Sequence, residues 1–145
     1  MILYLDTSSM VKMYVEERGS EQVLALAREA RTVATSWLSY TEARSAFARK
    51  YRDGLISLAE YEQSVENFER EWGLGYLALD VSTDILLDAG NLAARQGLRA
   101  LDAIHLASAL RVVDGPGAPA SLTFSSADER LLAAAEAEGL SCARG

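Results

Sequence analysis

The most constraining feature of this chain is an alternation. Short apolar or β-branched runs stand at Ile2–Leu5, Thr32–Thr35, Leu77–Leu79, Leu122–Phe124 and Leu140–Cys142, and between each pair lies at least one stretch with helical spacing. Parallel strands need long crossovers, usually helical, whereas hairpins do not. The pattern therefore predicts an α/β fold with a short central parallel sheet of about four to five strands and helices packed on both faces.

The helices can be placed from their caps and stripes. The first is expected over roughly 9–17, with Thr7-Ser8-Ser9 ahead of it and Val11, Met13 and Tyr14 as contacts. A second follows Gly19-Ser20, and a third starts at Ser36 or Ser39 and ends near Arg52. Ser57-Leu58-Ala59-Glu60 is a capping box opening a helix to about Trp72. Asp84–Arg95 is closed by Gly97 as a C-terminal cap, and Leu101–Val113 is the most apolar helix. Asp114–Pro119 reads as a loop and Ala127–Glu138 as the last helix. With 145 residues, no repeat and no dividing linker, one domain over 1–145 is expected.

Composition narrows the function classes. The net charge of -7 argues against a general nucleic-acid coat protein, but not against an enzyme that acts on nucleic acid through bound metal. Cys142 is the only cysteine and His105 the only histidine, so neither a disulfide nor a typical zinc site is supported. Asp6 interrupts the first apolar run and no basic segment precedes it, so no signal peptide is read there. No apolar stretch is long enough to span a bilayer, and a cytoplasmic location is the default expectation.

Ligands of open α/β sheets bind beyond the carboxyl ends of the strands. Asp6 ends the first strand, Asp128 follows the fourth, Glu42 lies in the helix after the second, and Asp102 opens the most apolar helix. Each has an ordinary reading. Asp6 and Asp128 can cap helices, Glu42 can be a surface residue, and Asp102 can simply favour a helix N-terminus. A shared location is what a carboxylate site for a hard cation such as Mg²⁺ or Mn²⁺ requires.

Four segments carry a family resemblance: LDTSSMVKMY, SYTEARSAF, LRALDAIHLASAL and TFSSADERLLAAAEAEGL. In this order and spacing they resemble the signature segments of PIN-domain nucleases, most nearly the VapC-type toxins of toxin–antitoxin pairs. The resemblance covers nearly the whole chain. It implies a PIN-like three-layer α/β/α fold and places the four site acids on Asp6, Glu42, Asp102 and Asp128, with Asp6 and Asp102 as direct metal ligands. Ser8 and Ser126 match the family's hydroxyl positions. It further implies a Mg²⁺-dependent endoribonuclease, with Mn²⁺ as the alternative ion, that hydrolyses RNA at restricted sites in tRNA, rRNA or mRNA. A VapB-type antitoxin and a homodimer are the implied partners.

Other residues carry weaker signals. His105 is read as a satisfied core histidine rather than a general base. Arg44, Arg49, Lys50 and Arg52 are candidate RNA-phosphate contacts, against a plain solvated face. Asp80, Asp84 and Asp88 read as caps or surface acids, and Trp37, Phe47, Tyr51, Phe68 and Trp72 as core or partner packing. An aspartate-nucleophile phosphatase would want an Asp where Ser8 stands and a lysine after Lys50, and the chain has neither. The remaining alternative is a non-catalytic PIN-like scaffold.

Overall fold

The computed structural model describes residues 1–115 and 121–145; the expected loop over Asp114–Pro119 lies outside the described residues from Pro116 onward. Five strands, β1 (Ile2–Leu5), β2 (Thr32–Ser36), β3 (Tyr76–Leu79), β4 (Leu122–Ser126) and β5 (Ser141–Arg144), form one sheet in the order β3-β2-β1-β4-β5. All four pairings are parallel. The expected parallel sheet with helical crossovers is thus what forms.

The described helices are α1 (Thr7–Lys12), α2 (Ser20–Glu29), α3 (Leu38–Arg52), α4 (Leu58–Gly75), α5 (Thr83–Gln96), α6 (Ala100–Asp114) and α7 (Glu129–Ala137). Successive side chains of a strand point to opposite faces, and β1 shows what that does in a covered sheet. Ile2 and Tyr4 join one core with Ile85, Leu92, Leu106 and Leu131 of α5–α7. Leu3 and Leu5 join the other with Met10, Val23, Phe47 and Phe68 of α1–α4. Both faces are covered, so β1 is buried along its whole length and reads as a continuous apolar run.

The first and last helices differ from expectation, and both differences bear on the site. The first helix is shorter and earlier than 9–17. The Asp6 carboxylate accepts the Ser9 N–H and starts the helix at Thr7, and it stops at a C-cap on Met13. Beyond that, Ser20 Oγ donates to the Val15 carbonyl and accepts the Glu17 N–H, which closes the turn into α2. The last helix begins at Glu129 rather than Ala127, because β4 runs on to Ser126 and Asp128 is the N-cap, accepting the Arg130 and Leu131 N–H groups. Elsewhere the local signals hold. Ser57 and Glu60 make the reciprocal capping box, and Gly97 caps α5 with φ 66°, a left-handed backbone that favours glycine.

The chain steps from β1 to β2 to β3 on one side, then crosses to β4 and β5 on the other. The topological switch point therefore lies between β1 and β4, at the ends that carry Asp6 and Ser126. No helix among the described residues is long and apolar enough to cross a membrane.

Candidate active site

Asp6 lies at the switch point with 5% of its surface exposed. Both of its oxygens are held. Ser8 Oγ donates to Oδ1 at 2.7 Å, the Ser9 N–H donates to Oδ1 at 3.0 Å, and Ser126 Oγ donates to Oδ2 at 2.6 Å. The same two hydroxyls accept from the β4–α7 connection, Ser8 from the Ala127 N–H at 2.9 Å and Ser126 from the Asp128 N–H at 3.0 Å. Small hydroxyl residues suit this place because each gives its proton to the carboxylate while its oxygen satisfies a backbone donor. Burial raises the Asp6 pKa above the usual carboxylate range; the nearby His105 and the Ser126, Ser8 and Ser9 hydrogen bonds offset only part of the rise.

Glu42, on α3, is half-buried beside Thr7, whose Oγ1 donates to Glu42 Oε1 at 2.6 Å. His105, on α6, completes this corner. Its Nε2 lies 3.0 Å from Glu42 Oε1 and 3.2 Å from Thr7 Oγ1, and its Nδ1 lies 3.1 Å from the Tyr4 hydroxyl. Burial drives the Tyr4 phenol far above its ordinary range, so it stays protonated beside Nδ1. Burial alone would raise the Glu42 pKa, but the His105 and Thr7 hydrogen bonds outweigh it, and the carboxyl lies below its usual range. His105 is the satisfied core histidine that its sequence setting suggests, with one addition: its satisfaction comes from a site acid.

Asp102, in the first turn of α6, and Asp128, the N-cap of α7, meet through a third residue. Arg99 Nε lies 3.2 Å from Asp102 Oδ2, and its Nη2 lies 3.4 Å from Asp128 Oδ2. Both acids line a cavity of about 100 Å³ with Arg99 and Arg130. Glu42 instead lines a larger cleft of about 510 Å³ with Thr7, Ser8, Lys12, Glu17 and Arg49. Asp6, Ser8 and Ser126 form the seam between the two, since Ser8 opens to the cleft while Ser126 receives the Asp128 N–H.

Of the basic candidates, Arg49 lines the cleft. Arg44 pairs with Glu69 on α4, and Lys50 bonds Glu17 Oε2 at 2.6 Å. Sequence reasoning did not single out Thr7 or Arg99. The available signals were a hydroxyl directly after Asp6 and an Arg three residues before Asp102 on a helix start. Cys142 lies on β5, and burial pushes its thiol up to about 11, which keeps it neutral and unreactive.

The donor set is chemically that of a hard cation: carboxylate and hydroxyl oxygens, with one half-committed histidine. In the present side-chain arrangement no three His, Cys, Asp or Glu residues among the described residues stand close enough to hold one ion together. Two of the acids already share a cation, the Arg99 guanidinium. The oxygens fit a divalent ion in kind, and gathering them around one requires side chains to leave their present partners.

Comparison with known proteins shows the family and the fold. The family model described as PIN domain matches residues 3–137. The chain is 33% identical over 138 residues to ribonuclease VapC45 of Mycobacterium tuberculosis (strain CDC 1551 / Oshkosh) and to ribonuclease VapC49 of Mycobacterium tuberculosis (strain ATCC 25618 / H37Rv). Each match covers 95% of this chain and 92% of the relative. Among solved structures, the fold is similar to FitAcB from Neisseria gonorrhoeae, with a TM-score of 0.66 and 20% identity over 98% of this chain and 96% of that one. It is also similar to VapBC2 from Rickettsia felis bound to a DNA fragment from their promoter, with a TM-score of 0.62 and 15% identity over 99% and 98%.

Proposed function

The chain belongs to the PIN-domain family, and from that premise we propose that it is a metal-dependent endoribonuclease, the toxin of a VapBC-type toxin–antitoxin pair, with residues 1–145 as one PIN domain. The observation that carries this reading is the placement of Asp6. A nearly buried carboxylate stands at the switch point of a parallel sheet, its two oxygens oriented by Ser8 and Ser126. Glu42 lies on one side of that seam and Asp102 and Asp128 on the other.

In this reading Asp6 and Asp102 hold a Mg²⁺ or Mn²⁺ ion, and Glu42 and Asp128 complete the site directly or through water. When bound, such an ion supplies an acidified water and neutralises charge on the phosphodiester. The chain's own groups do the rest. Ser8 and Ser126 fix the direction of the Asp6 oxygens. Thr7 and His105 keep Glu42 ionised and aimed. Arg49, on the wall of the larger cleft, is placed to meet RNA phosphates in an otherwise acidic protein, whereas Lys12 on the same wall is largely buried and donates to the Arg18 carbonyl. Arg44 and Lys50 would have to leave Glu69 and Glu17 to do the same. The similarity in fold to a toxin–antitoxin complex from Klebsiella pneumoniae supports an antitoxin partner for this chain. The exposed Trp37, Tyr51 and Leu58 on or beside α3 and α4 offer it apolar surface, and the same helices are the candidate homodimer contact.

The competing reading, a scaffold without catalysis, takes its support from the way each carboxylate is satisfied by a protein donor. Growth separates the two. Expression without an antitoxin is expected to arrest cell growth, and Asp6→Asn at an equal soluble level is expected to relieve the arrest. Unimpaired growth with the wild-type chain, or equal arrest by both proteins, would favour the scaffold.

A further inference from the structure

Arg99 is the N-cap residue of α6, yet it supplies no side-chain cap to that helix. Its side chain is 79% exposed, and its guanidinium reaches Asp102 on its own helix and Asp128 at the start of α7. The placement is a poor one for stability. A cation at a helix N-terminus faces the positive end of the helix dipole. Ion pairs this exposed contribute little, because water and salt screen them and ordering a long side chain costs entropy. The contact does achieve one thing: it turns one oxygen of each of two carboxylates, from different helices, toward a single positive group.

A divalent cation seeks the same oxygens, and two positive groups cannot share them at close range without repulsion. We propose that Arg99 is an internal counter-ion of the site, which holds Asp102 and Asp128 together until a divalent cation displaces it. This rests on the reading that the carboxylates bind metal. It also accounts for the scattered acids, because the guanidinium occupies two of them and leaves them apart from Asp6 and Glu42. Arginine suits the role better than lysine: its planar fork can serve two carboxylates at once, as the Nε and Nη2 contacts do here.

The competition has a sign that a structural role would not give. Removing a structural contact weakens a site, whereas removing a competitor tightens it. Titration of Mn²⁺ into the full-length wild type, Arg99→Gln and Arg130→Gln, followed by calorimetry, reads that sign directly. Arg130 lines the same cavity and forms no ion pair among the described residues, so its variant controls for the general loss of positive charge. The Mn²⁺ dissociation constant of Arg99→Gln is expected to fall about three- to tenfold, with a clearly smaller change for Arg130→Gln. Unchanged or weaker binding by Arg99→Gln, or an equal gain in both variants, would overturn the inference while leaving metal binding intact. An absence of Mn²⁺ binding in all three proteins would remove the metal reading and this inference with it.

Discussion

Asp6→Asn is expected to abolish RNA cutting and, at neutral pH in EDTA, to make the protein more stable. Both effects have one origin. Asp6 is a carboxyl group in a nearly dry place, and its pKa in the folded state is raised, chiefly by burial. A raised folded-state pKa means that the folded protein binds this proton more readily than the unfolded chain. The stability from this group is therefore greatest below the unfolded pKa and is lost as pH rises through the interval between the two values. At pH 7 Asp6 therefore costs the fold stability, and the neutral amide removes that cost while its oxygen still accepts from Ser8 and Ser9 and its NH2 replaces the oxygen to which Ser126 Oγ donates. A gain of about 1 kcal/mol, or roughly 3 °C in Tm, is the expected size. The gap between variant and wild type should shrink on acidification and reverse when Mn²⁺ saturates the wild type alone. Cutting should fall by at least about a hundredfold, since even groups that merely orient metal ligands cost that much when lost. A variant less stable than the wild type in EDTA at pH 7 would show that the Asp6 hydrogen bonds outweigh its burial.

The largest stability effect is expected far from the acids, at Phe68 on α4. Its fully buried ring stands 5.3 Å from Tyr14, 5.7 Å from Tyr40, 5.5 Å from Phe47 and 5.4 Å from Trp72, measured between ring centroids. Tyr40 and Phe47 belong to α3, the helix that carries Glu42. Phe68→Ala leaves a cavity at the centre of this cluster and should cost about 3–5 kcal/mol in urea unfolding. That is a large share of the 5–15 kcal/mol, roughly, that holds a domain together. Phe68→Leu keeps most of the volume and should cost about 1.5 kcal/mol or less. A loss below about 1 kcal/mol in the alanine variant would mean that α3 is positioned by its sheet contacts and not by this cluster.

These two sites also show what a sequence can and cannot convey. The Asp6 corner was legible because its parts are local: an apolar run, an acid at its end, then Ser8 and Ser9. At the end of β4 the order is reversed, with Ser126 ahead of Asp128. The capping box at Ser57 and Glu60, and the split of Ile2 and Tyr4 from Leu3 and Leu5, follow from rules with a range of a few residues. The ends of α1 and α7 were less legible, because Asp6 and Asp128 are themselves the N-caps and set where these helices begin. The Tyr4–His105–Glu42 chain was not legible. Its members are 101 and 63 residues apart, and only the sheet and the burial of α6 bring them together. The Arg99 bridge was hidden for a different reason: an Arg before a helical Asp is common, and the second carboxylate arrives from α7 through the tertiary fold.

The central claim is that the acids at the β1–β4 switch point act together as one metal-dependent, RNA-cutting site. Its most direct test is incubation of purified, antitoxin-free protein with total RNA in Mg²⁺ or Mn²⁺, with end mapping of the products. EDTA and Asp6→Asn are run beside it. Discrete cuts at a restricted set of sites are expected, absent in EDTA and absent in the folded variant. Intact tRNA, rRNA and mRNA with either ion, or cutting that persists in EDTA or in Asp6→Asn, would contradict it.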